Sequence, residues 1–225
     1  MFGRGTARGF FALIAAVAIV GVGMETVLAV VEEEIPFDNP GRRLVTLFSY
    51  FTVLSNLTVA VTHSMLARSA ARSSEVFWVF RLTGVLCIAV TGVVYHLALA
   101  QLADLRGWDL VADFFVHTMS PALTVVGWLA FGPRRRIQRS TAWWSLVPPI
   151  TWLGYTLARG AIVTDNTGVH WYPYPFLDVN DLGYGRALLN CLMIAVFYIA
   201  LALGARWLDH RLARLTTADH VSVPG

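Results

Sequence analysis

The chain has 225 residues, 56% hydrophobic and 14% charged, with a mean hydropathy of +0.61. Soluble chains carry about 25% charged residues, so this one has too little charge to cover a water-soluble globule of its size and enough apolar material for several membrane spans. All 17 basic residues are arginine, and they fall in short clusters between apolar runs rather than in one stripe, which argues against a nucleic-acid surface in spite of an isoelectric point near 9.1.

The first apolar stretch, Phe10 to Val31, is too long for a signal-peptide core and has no small-x-small cleavage site, so it is expected to stay as a signal anchor and first span. Further stretches run over Val45–Leu66, Val76–Leu102, Val111–Phe131, Thr141–Val163 and Tyr184–Leu208. Each is long enough to cross about 30 Å of hydrocarbon, and none alternates with period two, so helices rather than barrel strands are expected. The two cysteines, Cys87 and Cys191, lie inside these runs with no CxxC or metal-ligand spacing, which gives no disulfide framework. Thr216 to Gly225 reads as a disordered tail.

Arginine placement orients the helices. The N-terminus (Arg4, Arg8), second loop (Arg68, Arg72), fourth loop (Arg134, Arg135, Arg136, Arg139) and C-terminal segment (Arg206, Arg211, Arg214) outweigh the first loop (Arg42, Arg43) and third loop (Arg106). Acids count for little, even the Glu32, Glu33, Glu34 and Asp38 group. The expectation is an all-α integral membrane protein: a six-transmembrane helix bundle with both termini cytoplasmic, one domain over 1–215 and a tail over 216–225. It is placed in a cell membrane, the inner one in a bacterium, with membrane lipids as neighbours.

This orientation sorts the polar residues by depth. Glu25, Tyr95, His96, Tyr155 and Arg159 fall at outer ends of helices one, three and five. Thr52, Ser55, Asn56, Asp113, His117, Arg186 and Asn190 fall in outer halves of helices two, four and six. The inner half holds chiefly His63 and Arg81. Ionisable groups within spans are expensive and usually functional, so the segregation points to a polar cavity in the outer half. The fifth loop carries His170-Trp171-Tyr172-Pro173-Tyr174-Pro175-Phe176-Leu177-Asp178. Two prolines among aromatics cannot form a regular helix; the segment fits either an interfacial aromatic belt or a re-entrant lid over that cavity.

Two pairs stand out by spacing. Thr52 and Asn56 lie one turn apart on helix two, as do Asp113 and His117 on helix four. An aspartate one turn before a histidine can accept from Nδ1, fix the tautomer and leave Nε2 free as a base. Asp113 in a first helical turn also complements the helix dipole, and His117 also fits a structural interhelical hydrogen bond. Arg159 and Arg186 are candidates to hold a substrate carboxylate, or to pair with Glu25, Asp178 or Asp181. His96 is a further candidate for the cavity. No HExxH spacing, glycine-rich phosphate loop or other cofactor motif occurs.

Tyr50-Phe51-Thr52-Val53-Leu54-Ser55-Asn56-Leu57, Phe115-Val116-His117-Thr118-Met119-Ser120-Pro121 and Trp171-Tyr172-Pro173-Tyr174-Pro175-Phe176-Leu177-Asp178 follow one another in the order found in a known family. The chain resembles bacterial relatives of the androgen-induced and androgen-dependent TFPI-regulating membrane proteins, over most of its length. The resemblance implies a multi-helix bundle. It also implies a threonine hydrolase that cleaves fatty acid esters, with Thr52 and His117 as the intramembrane pair and Tyr174 to Asp178 as the family's Tyr-Pro-Phe-Leu-acid element. If the chain is such an enzyme, Thr52 and His117 are catalytic, Asn56 is placed to donate to the oxyanion, and Asp113 orients His117. Arg159, Arg186, Tyr174 and His96 contact a lipidic ester or fatty-acid-like ligand, and no metal or cofactor is required. Two other classes remain: a non-enzymatic lipid- or small-molecule-binding or transport protein, and a haem protein using His63, His96 or His117.

Overall fold

A computed structural model describes residues 3–31, 36–69 and 71–221, with side chains as far as 214. Glu32, Glu33 and Glu34 lie outside the described residues, as do the last four positions of the segment read as a tail. Among the described residues the regular structure is helical, apart from one isolated bridge between Thr164 and His170. The helices are α1 (Arg4–Val31), α2 (Pro40–Leu47), α3 (Phe51–Arg68), α4 (Glu75–Val94), α5 (Trp108–Asp113), α6 (Ser120–Phe131), α7 (Arg139–Trp144), α8 (Val147–Gly160) and α9 (Val179–Val221). A π-turn and a 3₁₀ turn extend α4 to Leu102, and a second π-turn, Phe114–Met119, joins α5 to α6.

Four of these helical stretches are long and apolar enough to cross a membrane: Arg4–Val31, Glu75–Leu102, Trp108–Phe131 and Val179–Arg214. The expected second span is two helices, α2 and α3, that meet at a 68° bend. Asn39 caps α2, its side chain accepting from the Gly41 and Arg42 amides, and Pro40 follows in the first turn. At the bend the Ser49 carbonyl is taken by Trp152 Nε1 at 2.9 Å, and the Ser49 and Tyr155 hydroxyls lie 2.8 Å apart. Two residues of α8 therefore satisfy the polar groups of the break.

The expected fifth span is also divided, into α7 and α8. Pro148 and Pro149 open α8, where missing N–H groups cost nothing. With 14 residues, α8 is about 21 Å long, shorter than the roughly 30 Å of hydrocarbon.

Helices α1, α3, α4 and α6 pack on one another and hold the core, with Phe11, Ile14, Val59, Leu66 and Ile88 buried between them. Two glycines set close approaches to the segment around His117. A Cβ on Gly21 would meet Val116 Cγ1 at 2.8 Å, and one on Gly92 would meet Pro121 Cβ at 2.9 Å. Small residues at such crossings let backbones approach, and here both approaches press on the segment that carries His117.

Candidate active site

Thr52 and His117 come together through two irregularities of the backbone. The bend before α3 puts Thr52 in that helix's first turn, whose first bond runs from the Leu54 amide to the Tyr50 carbonyl. His117 lies within the π-turn Phe114–Met119. Pro121, four residues on, has no N–H for the His117 carbonyl, and a π-turn is one way a helix accommodates the loss. The turn is clamped from α3: Asn56 Nδ2 donates to the Val116 carbonyl at 3.1 Å and to the Thr52 carbonyl at 3.0 Å.

Thr52 Oγ1 and His117 Nε2 stand 3.1 Å apart, and His117 Nδ1 lies 2.8 Å from Asp113 Oδ1. Helix α5 begins at Trp108, so Asp109 rather than Asp113 occupies its first turn. Asp113 is thereby in position to accept from the imidazole. With Nδ1–H donating to that carboxylate, Nε2 carries the lone pair and faces the threonine hydroxyl. Tyr95, in the other π-turn, stacks on the His117 ring at 3.9 Å between centroids and 11° between planes. Thr52 is buried, and the His117 and Asp113 side chains are each 16% exposed.

Thr52 lines an apolar cavity of about 120 Å³. Phe51, Trp152, Leu153, Leu177, Ile194 and Tyr198 line much of it, with Tyr95 and Tyr174 beside Thr52 and no charged residue in the wall. His117 and Asp113 are outside the lining. An apolar group in the cavity can thus meet the threonine in hydrocarbon-like surroundings, without touching His117 or Asp113.

The aromatic loop is folded inward. Trp171 packs edge-on against Phe37 and Tyr50, Tyr174 packs against Tyr50 and stacks on Phe176, and Leu177 is 1% exposed. Tyr172 covers Gly160, where any side chain would collide with its ring. The loop's outer turn is fastened by Asp165, whose Oδ1 accepts from the Thr167 hydroxyl and from the Thr167 and Val169 amides. The Thr167 hydroxyl, with those amides, holds the Asp165 carboxyl below the usual range. At the inner end the Thr52 amide donates to the Tyr174 hydroxyl at 3.4 Å.

The other expected site residues lie elsewhere. Asn56, expected to donate to an oxyanion, is fully buried and spends its amide hydrogens on main-chain carbonyls, so it is a clamp and not a donor to substrate. Arg159 donates to Thr46 Oγ1 at 3.0 Å and lies over the Trp171 ring, which ties α8 to α2 and the loop but leaves it outside the cavity lining. His96 is exposed and pairs with Thr118, 3.1 Å away. Arg186 is exposed on α9 and also lies outside the lining. His63, considered for haem, is committed to the Val59 carbonyl and Arg81. No group of three or more His, Cys, Asp or Glu side chains converges on a metal-sized site among the described residues.

Sequence reasoning missed the apolar wall. Trp152, Leu153, Ile194 and Tyr198 carry no motif, and their role follows only from the fold, which brings α8 and α9 to one cavity. No family model matches the chain, and neither a curated protein nor a solved structure matches it.

Proposed function

We propose that this protein is an intramembrane threonine hydrolase that cleaves lipidic carboxylic esters. The observation that carries the reading is the Thr52–His117–Asp113 chain, with contacts of 3.1 and 2.8 Å, whose threonine lines an apolar cavity. The resemblance to the androgen-induced and androgen-dependent TFPI-regulating family supports the same assignment. Thr52 Oγ attacks the ester carbonyl carbon as its proton passes to His117 Nε2, and Asp113 stabilises the imidazolium. Collapse of the tetrahedral intermediate expels the alkoxide, which takes the proton back from Nε2. Water, deprotonated by His117, then releases the acid and restores Thr52.

The substrate's acyl chain occupies the cavity and enters from the lipid between α8 and α9. Ile150 of α8 lines the cavity and is 63% exposed, which supports access at this wall. In this reading the bundle crosses a cell membrane six times with both termini cytoplasmic. The α2–α3 and α7–α8 pairs each count as one crossing, and the arginine asymmetry fixes the orientation.

Purified protein in lipid bilayers, offered short-chain, long-chain and branched fatty esters, tests the activity. Hydrolysis by the wild type and none by Thr52→Ala is expected. An interhelical hydrogen bond within a membrane contributes about 0.6 kcal/mol, so Thr52→Ala stays folded and the loss reports chemistry. Saturable uptake of lipid without hydrolysis of any ester would make the cavity a binding site and favour a lipid-binding or transport protein.

A further inference from the structure

The reaction needs a donor for the negative charge that develops on the carbonyl oxygen, and Asn56 cannot supply it. Removing one such donor typically slows an acyl-transfer enzyme by about 10²–10³-fold, so a site without one would be a poor catalyst. Beside Thr52, the cavity wall offers the Tyr174 hydroxyl. It accepts from the Thr52 amide at 3.4 Å and lies within interaction range of the Thr52 hydroxyl and the Phe51 amide. These amides precede the first hydrogen bond of α3, so no helical carbonyl competes for them.

The tyrosine is also well fixed. Its side chain is 9% exposed, stacked on Phe176 at 5.2 Å and packed edge-on against Tyr50 at 5.7 Å. Pro173 and Pro175 flank it and restrict the backbone that carries it. A preorganised donor loses little on meeting the transition state, and burial in an apolar wall strengthens whatever it binds.

Resting on the hydrolase reading, we propose that the Tyr174 hydroxyl is a catalytic residue: the side-chain half of the oxyanion hole, acting with the Thr52 and Phe51 amides. In the resting protein its oxygen stands beside the place of the substrate's carbonyl oxygen and accepts from the Thr52 amide at 3.4 Å. When an ester binds, its carbonyl oxygen takes that amide, and the tyrosine O–H turns to donate to it. As Thr52 Oγ forms its bond to carbon, the carbonyl π pair moves onto oxygen. Tyr174 keeps its proton throughout and stabilises the charge by a hydrogen bond alone. The aromatic loop is therefore part of the catalytic apparatus and not a cover only.

The test compares an ester with its thiono analogue, in which sulfur replaces the carbonyl oxygen and accepts hydrogen bonds poorly. Wild type should prefer the oxygen ester strongly. Tyr174→Phe, which keeps the ring and its packing, should lose about 10²-fold in kcat with KM within about twofold, and the oxo-over-thiono preference should fall by a similar factor. That preference is a ratio measured on one sample, so partial misfolding does not change it. Tyr172→Phe removes a hydroxyl from the same loop and should leave it unchanged. If Tyr174→Phe yields no folded protein, difluorotyrosine at 174 keeps the ring and makes the hydroxyl a stronger donor, which should raise the preference. An unaltered preference in the variant measured overturns the assignment of Tyr174 while Thr52-dependent hydrolysis still stands. Absence of hydrolysis by the wild type overturns both.

Discussion

Two of the histidines that reach across to another helix, His117 and His63, have surroundings that could hardly differ more. His117 sits in a π-turn, its Nε2 facing a threonine hydroxyl that lines a cavity and its Nδ1 facing a carboxylate. His63 sits in the regular part of α3, fully buried, with Nδ1 on the Val59 carbonyl of its own helix and Nε2 against Arg81 Nη1 at 3.1 Å. Along α3 it lies eleven residues from Thr52, about 16 Å away. With Nδ1–H donated to Val59, Nε2 must accept from the guanidinium, so the ring has no lone pair left for a ligand. The Arg81–His63 pair fits a structural bond that locks α3 to α4. The His117 site has what the His63 site lacks: a hydroxyl partner, a carboxylate to orient the ring, and a void beside the hydroxyl.

Substitutions can break this contrast, and the largest effects belong to Thr52 and His117. Thr52→Ala and His117→Ala should each lower ester turnover by at least about 10⁴-fold, and the double variant should lose little more, because the two act as one unit. Initial rates per folded molecule check this. Asp113→Asn leaves the geometry and removes the charge beside Nδ1, and its loss should be about 10²-fold smaller than that of either partner. Gly92→Ala should cost about tenfold in kcat, since the new Cβ must push Pro121 and with it the turn that aims His117. His63→Ala should leave kcat within twofold. It strands a buried guanidinium instead, and should destabilise the protein by about 1–3 kcal/mol in a denaturation measurement. A fall in kcat with His63→Ala matching that of His117→Ala would erase the distinction.

Much of the Thr52–His117 site is readable in the sequence because helical spacing is a local property. Asp113 and His117 sit one turn apart in any helix, so their pairing survives the detail of the π-turn. Thr52 is readable only through its company: its place beside His117 depends on a bend with no glycine or proline at Phe48, Ser49 or Tyr50 to mark it. That bend is held by Trp152 and Tyr155, about a hundred residues along the chain, and no window around Thr52 contains them. Asn56 was misread for a related reason. Its amide looks like a free donor until the π-turn presents the Val116 carbonyl, and π-turns leave no signature in hydropathy. The divided fifth span has a visible cause, Pro148 and Pro149, but an apolar run measured by length alone conceals it. Arg159 reads as a ligand for a carboxylate because it lies among apolar residues, whereas its partners, Thr46 and the Trp171 ring, are uncharged.

The central claim is that Thr52 is the nucleophile and His117 its base. The most direct measurement is reaction of the purified protein with an activated lipidic phosphonate, followed by peptide mass spectrometry to locate the adduct. A single adduct on the Thr52 side chain is expected, lost in Thr52→Ala and strongly slowed in His117→Ala. No adduct on the wild type, or an adduct that forms equally well in Thr52→Ala, would contradict it.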